Sequence, residues 1–289
     1  MKFKFNTPEP ANVTFTKKGH KYRDQKGKEY VSVTTLLKEY YKPFDTQYWS
    51  TYKGCKDVLE RINLWSRYKQ KAGGWQMVVE YFRRNGHKLD AAVYKRILDR
   101  KQWYITEWKN EGDIASILGN KQHDTLEKLV LNHKKIRIGS RKVAKVSPAT
   151  LLDMQGFVHT GNSVHPELLL WNEKYRLAGQ ADLVEKEGND IVIKDYKTCK
   201  EIKMEPFMGT MMKEPLQYLP DTDYSKFTMQ LSTYGWMLEQ LGYTVRGIVM
   251  IHIHRVTGEI IKEYPMAYRP DLVEQMLENY ERKRIRKFN

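Results

Sequence analysis

The charged residues that could do chemistry together are Asp182, Asp195 and Lys197. Asp195 and Lys197 are two apart, so on a strand both project from one face. With a turn centred between Glu187 and Gly188, Asp182 would stand opposite Ile193, one diagonal step from Asp195 and on the same face. Two carboxylates that close repel unless a cation lies between them. A divalent metal is the natural occupant, because hard cations prefer carboxylate oxygens. The alternative is a surface hairpin with an ordinary Lys–Asp pair.

The hairpin needs strands over 177–184 and 191–196, joined by a turn at Glu187-Gly188-Asn189-Asp190. Upstream, a helix is predicted over 114–131 with Asp113 as its cap and Ile114, Ile117, Leu118, Leu126, Leu129 and Val130 as its apolar positions. Gly119, His123 and Glu127 recur every four residues and share a face of that helix. The glycine costs about 1 kcal/mol relative to alanine, so close approach of another backbone or a ligand is its expected use. A short strand is predicted over 167–171. A later helix over 224–241 buries Phe227, Leu231, Tyr234, Leu238 and Leu241. Gln230 lies beside Tyr234 there, and a glutamine near a buried stripe needs a polar partner, which the carboxylate patch could supply.

The remaining elements frame this set. Residues 13–35 read as a hairpin turning at 24–27, followed by a helix capped by Ser32 or Thr34 that ends before Pro43. Residues 45–111 read as helices broken at Gly54, Gly73-Gly74 and Asn85-Gly86. Five tryptophans lie there among Arg and Lys pairs, which suits either a stacking surface for a single-stranded nucleic acid or simple aromatic cores. Residues 132–146 read as a basic loop, and Ser147-Pro148 as the start of a short helix. Strands are predicted over 244–254 and up to Tyr264, then a helix from Pro270 with a basic end. His252 and His254 share a strand face and lack a third metal ligand nearby, so they read as ordinary strand residues.

The chain has 289 residues, 50 Lys and Arg against 35 Asp and Glu, and a net charge of +15. A basic chain of this kind is expected to meet a polyanion. Its two cysteines, Cys55 and Cys199, suggest neither a disulfide framework nor a zinc site. The N-terminal residues lack the apolar core of a secretory signal and the Arg- and Ser-rich character of a transit peptide. The expectation is a cytoplasmic protein of a bacterium or a phage-infected host. Strands cluster after residue 165, so the reading is one α/β domain over 1–289, with a helical, basic region over 1–112 and the catalytic core over 113–289.

Taken in order, Gly119-x-x-x-His123-x-x-x-Glu127, Glu167, Gly179-Gln180-Ala181-Asp182, Asp195-Tyr196-Lys197-Thr198 and Gln230-x-x-x-Tyr234 resemble the RecB-like branch of the PD-(D/E)XK nucleases. Within it the chain is most similar to the mitochondrial genome maintenance exonuclease and its phage and bacterial relatives. The opening Tyr30-Val31-Ser32-Val33-Thr34 and the twelve-residue step from Glu167 to Gly179 carry that finer likeness. The resemblance covers about 28–50 and 108–265. It implies a restriction-endonuclease-like mixed sheet flanked by helices, and a DNA exonuclease that uses Mg²⁺ or Mn²⁺. His123, Asp182, Asp195 and the carbonyl of Tyr196 would ligate the metal. Lys197 would activate water, Glu167 would be a further carboxylate, and Gln230 and Tyr234 would hold the phosphate or brace the site. The implied substrate is single-stranded or frayed DNA threaded past the tryptophan-rich helices, in replication, repair or recombination. The alternatives are a structure-selective endonuclease and an inactive nucleic-acid-binding protein.

Overall fold

The structure is a computed structural model that describes residues 12–133, 135–138, 142–146 and 162–286. The predicted helix at Ser147-Pro148 and the last basic residue of the tail, Lys287, lie outside the described residues. The contacts divide the chain into two compact units, 1–42 with 118–289, and 43–117.

In the first unit, β1 (Val13–Thr16), β2 (Lys21–Asp24) and β3 (Glu29–Ser32) form an antiparallel meander. The single predicted hairpin is therefore three strands. The missed reversal lies at 17–20, where Gly19 and His20 take φ of 85° and 50°. Helix α1 (Val33–Leu37) follows, with the Ser32 hydroxyl accepting from the Thr35 amide as predicted.

The second unit holds α2 (Thr46–Arg61), α3 (Trp65–Ala72), α4 (Val78–Asn85) and the start of α5 (Ala91–Asn132). Cys55, Leu59, Trp65, Val78, Phe82 and Ile97 fill its core. Gly73 and Gly74 end α3 at φ of 85° and 117°, as expected of left-handed positions. Gly54 does not break α2. A Cβ there would lie 2.9 Å from the Ile97 carbonyl oxygen and 3.1 Å from the Lys101 nitrogen, so the glycine lets two helix backbones touch. Gly54→Ala should destabilise the protein by about 1–3 kcal/mol in urea unfolding, because overpacking against backbone outweighs the ~1 kcal/mol gain in helix propensity.

Helix α5 runs unbroken for 42 residues. Asp113 is thus an interior residue and not the predicted cap. Gly112 costs only about 1 kcal/mol, too little to stop a helix of this length.

Back in the first unit, β4 (Lys135–Ile138) and β5 (Lys142–Val146) replace the expected basic loop. The signal was there: Lys135-Ile136-Arg137-Ile138 alternates basic and apolar residues, the period of a strand. Then come β6 (Ser163–Asn172), β7 (Leu177–Glu187), β8 (Asp190–Lys197), helix α6 (Asp223–Glu239), β9 (Thr244–Ile253), β10 (Ile260–Met266) and helix α7 (Pro270–Arg286).

The sheet is mixed and it forks at β7. Strand β6 lines one edge of β7 for its length, from Asn172↔Leu177 to Ser163↔Lys186. On the other edge, β3 pairs in parallel with the start of β7 at Val31↔Leu177 and Ser32↔Ala178. Strand β8 pairs with its end, from Leu183↔Lys194 to Glu187↔Asp190. Residues 179–182 lie between these two partners. Strand β9 continues in parallel beside β8, and β10 runs antiparallel to β9. Met229 of α6 and Leu277 of α7 join Leu168, Leu177 and Ile193 of the sheet in the main core, and α7 packs on α6. This mixed sheet with flanking helices is the expected restriction-endonuclease-like class.

Candidate active site

The β7–β8 turn consists of Gly188 and Asn189, flanked by the pair Glu187↔Asp190. Gly188 at φ 58° allows this tight reversal. The turn centre is one residue later than predicted, which moves Asp182 from opposite Ile193 to opposite Asp195. The face is unchanged, because that register shift is two residues along a period of two. On the other edge, Glu167 falls between the pairs Pro166↔Leu183 and Leu168↔Ala181, which also sets it against Asp182. Three carboxylates therefore stand in one row across β6, β7 and β8.

Glu167 occupies this position at φ 50°. A left-handed conformation in a non-glycine residue costs on the order of 1–3 kcal/mol and tends to mark functional sites. Its carboxyl is half-buried, and burial raises its pKa above the ordinary range, opposed by His123.

Helix α5 brings His123 to the row. Its Nδ1 lies 3.3 Å from Asp182 Oδ2 and 3.9 Å from Glu167 Oε1. Burial would lower the histidine pKa, but the two carboxylates prevail and raise it to about 10. Gly119, one turn earlier, is where α5 meets the end of β8: a Cβ there would lie 3.1 Å from Thr198 Oγ1. Gln122 adds a second anchor by donating from Nε2 to the carbonyls of Arg255 and Val256, at 3.3 and 2.9 Å. The predicted face partner Glu127 stays at the margin of the cluster, reaching Glu167 only through space.

Asp195 is 1% exposed and ends the apolar face begun by Ile191 and Ile193. Burial first, and then the charge of Asp182, raises its carboxyl pKa. Lys197 Nζ lies 2.6 Å from Asp195 Oδ2. Burial disfavours the ammonium, yet Asp195 and Asp182 outweigh it and hold the proton on. Tyr196 contributes its amide, which donates to Asp182 Oδ2 at 2.7 Å.

Helix α6, capped by the Thr222 hydroxyl, supplies the polar partners. Gln230 accepts from Lys197 Nζ at 3.3 Å and donates from Nε2 to Asp195 Oδ1 at 3.4 Å and to the Tyr234 hydroxyl at 3.2 Å. Gln230 thus spends its donors and acceptor on the patch, as its place beside the buried stripe suggested. Burial raises the Tyr234 phenol pKa far above its usual value, so it stays protonated. The Tyr234 ring lies against Gly179, which has no Cβ to obstruct it.

The structure brings His123, Glu167, Asp182, Asp195, Lys197, Gln230 and Tyr234 into one site. His252 and His254 are elsewhere: His252 Nε2 contacts the Cys199 carbonyl at 2.7 Å, and His254 Nδ1 contacts Thr257. Sequence reasoning put Phe227 in the buried stripe but missed its place in the site, where Lys197 Nζ lies 4.8 Å from its ring centroid. Its spacing of three from Gln230 on the helix was the available signal.

The donor set fits a divalent cation. One atom each from His123, Glu167 and Asp182 lies within 4.8 Å of the others. Asp195 Oδ2 has the Lys197 ion pair but no hydrogen bond. Carboxylates crowded with an imidazole, partly buried and short of donors, are suited to a hard or borderline metal ion.

The sequence matches the family model of the PD-(D/E)XK nuclease superfamily over residues 76–288. No curated protein matches the chain.

Proposed function

Because the chain belongs to the PD-(D/E)XK nuclease superfamily, we propose that it is a metal-dependent deoxyribonuclease, an exonuclease acting on single-stranded or frayed DNA ends. The single observation that carries this reading is the carboxylate row Glu167–Asp182–Asp195, closed by Lys197 on one side and His123 on the other. His123, Asp182, Asp195 and the Tyr196 carbonyl would hold Mg²⁺ or Mn²⁺, with Glu167 joining directly or through water. When bound, the ion supplies Lewis acidity and a hydroxide-like nucleophile near neutral pH.

The chain's own residues set the geometry. Asp195 is fixed by Gln230 at Oδ1 and by Lys197 at Oδ2, which hold its carboxylate in place beside Asp182. Lys197 presents a compact cation beside Asp195, where it orients the attacking water and offsets charge developing on the phosphate. Phe227 covers one side of that ammonium and limits its exposure to solvent. Tyr234 keeps its proton and braces Gln230.

The RecB-like branch is supported by Gln230 and Tyr234 on one helix, Gln230 donating to both Asp195 and the Tyr234 hydroxyl. A single-stranded substrate is supported by the second unit, where Trp103 is 46% exposed and the Arg100 guanidinium lies 4.0 Å over its ring. Such cation-flanked aromatics suit stacked bases. The match begins at residue 76, inside the second unit, which supports reading both units as one nuclease domain. We place its work in DNA replication, repair or recombination. Among the described residues, no helix is long and apolar enough to cross a membrane.

The test is incubation with end-labelled linear single-stranded, duplex and circular single-stranded DNA, with Mg²⁺, Mn²⁺ or EDTA. We expect metal-dependent loss of linear single strands and none in EDTA. Cutting of circles would make the enzyme an endonuclease. Salt-sensitive binding without cutting under any metal would leave an inactive binding protein.

A further inference from the structure

The β1–β2 hairpin is not part of the carboxylate row, yet it reaches the site's edge. At its tip, Lys17 Nζ lies 3.2 Å from Asp124 Oδ1, the residue after His123. One pair behind the tip, opposite Phe15, the buried Tyr22 phenol feels the charge of Glu167, and Tyr234 in turn feels Tyr22. The hairpin therefore runs along the rim from α5 towards the row.

Its composition is lopsided. Residues 14–28 carry six basic side chains and one acidic, Asp24. Lys21 and Arg23 are engaged with Glu29 on β3. Lys17 and Lys18 are at the exposed tip, where Asp124, Glu127 and Glu167 act on Lys17. The Lys17–Asp124 pair has side chains 80% and 53% exposed. Solvent screening leaves an ion pair so exposed weak. Asp124 thus parks the ammonium without sequestering it, and a phosphate can take it over at little cost.

We propose that the tip of the β1–β2 hairpin is a strand-binding element, with Lys17 and Lys18 holding backbone phosphates of a single strand next to the one cleaved. This rests on the nuclease reading above and assigns it two further substrate contacts. The hairpin's other role, as the outer strands beside β3, leaves the tip free for this.

The test is binding of a labelled 20-nucleotide single strand in EDTA, titrated between 50 and 200 mM salt. Each phosphate contact contributes about 0.7 to the slope of log affinity against log salt on single strands. Lys17→Ala with Lys18→Ala should reduce the slope by about 1.4 and weaken binding about tenfold at low salt. Lys17→Arg with Lys18→Arg should restore both, since charge rather than shape is needed. Asp124→Asn should tighten binding two- to threefold by releasing Lys17. An unchanged slope in the double alanine variant, with circular dichroism matching the wild type, overturns the proposal while leaving the nuclease reading intact. Weaker binding by Asp124→Asn overturns the exchange of partners. Wild-type protein with no salt-dependent binding would sink both readings together.

Discussion

Lys197→Ala should lower the rate of DNA cleavage about 10³-fold, the loss typical of removing one preorganised charge or donor from a developing phosphate charge. Lys197 is the one cation among the described residues in contact with Asp195, at 2.6 Å. Its ammonium is kept protonated by Asp195 and Asp182 against the burial that would strip it. Lys197→Arg should fare little better, because a planar fork does not reproduce a compact charge in a site lined by Phe227 and Gln230. Both variants are followed in single-turnover cleavage with saturating Mg²⁺ or Mn²⁺. The alanine variant also leaves Asp195 buried without its cation, which can cost about 3–5 kcal/mol if the carboxylate stays ionised. The raised pKa of Asp195 eases this by letting it take a proton. A thermal melt beside each rate measurement separates lost chemistry from lost fold. An alanine variant that is folded and cuts within tenfold of the wild type would remove Lys197 from the mechanism.

Gly179→Ala should cost about 1–3 kcal/mol of stability, and activity should fall with it. A Cβ at this position would lie 2.6 Å from Tyr234 Cε1, 3.2 Å from Cζ and 3.1 Å from the hydroxyl. Tyr234 is 3% exposed and its hydroxyl is bonded to Gln230, so the ring has nowhere to go without dragging the Gln230–Asp195 contact with it. A double-mutant cycle checks the cause. In a Tyr234→Leu background, Gly179→Ala should cost markedly less in urea unfolding, since the smaller side chain relieves the clash. Equal costs in both backgrounds would mean that the ring is not what the glycine accommodates.

The site was more legible in the sequence than the scaffold. Asp182, Asp195 and Lys197 declared themselves by chemistry and by a spacing that a period of two keeps on one face. That periodicity made the face robust to the error in register: the turn centre was wrong, but the shift was even. Gln230 was readable because a glutamine beside a buried stripe demands a partner. The left-handed backbone of Glu167 was not readable, because nothing in a glutamate's neighbourhood in sequence announces φ near 50°. Asp113 misled because a good capping residue is also tolerated inside a long helix, where tertiary packing overrides local preference. Gly54 misled for the same reason in reverse, since a glycine needed for helix contact looks identical to one that ends a helix. The strands over 135–146 were lost because lysines were read as solvation rather than as half of an alternation.

The fork in the sheet also bears on the order in which the molecule can assemble. The pair Val31↔Leu177 joins residues far apart along the chain, whereas β7 and β8 meet through a two-residue turn. Local hairpins close in microseconds, while distant parallel pairings pay a larger loop-closure entropy and come late. The aspartates and the lysine should therefore assemble early, on the β7–β8 hairpin. The N-terminal meander, with its basic tip, should dock onto the first residues of β7 only after the strands it joins exist. On a ribosome this order is enforced outright, because the first strands to emerge wait for a partner synthesised well over a hundred residues later.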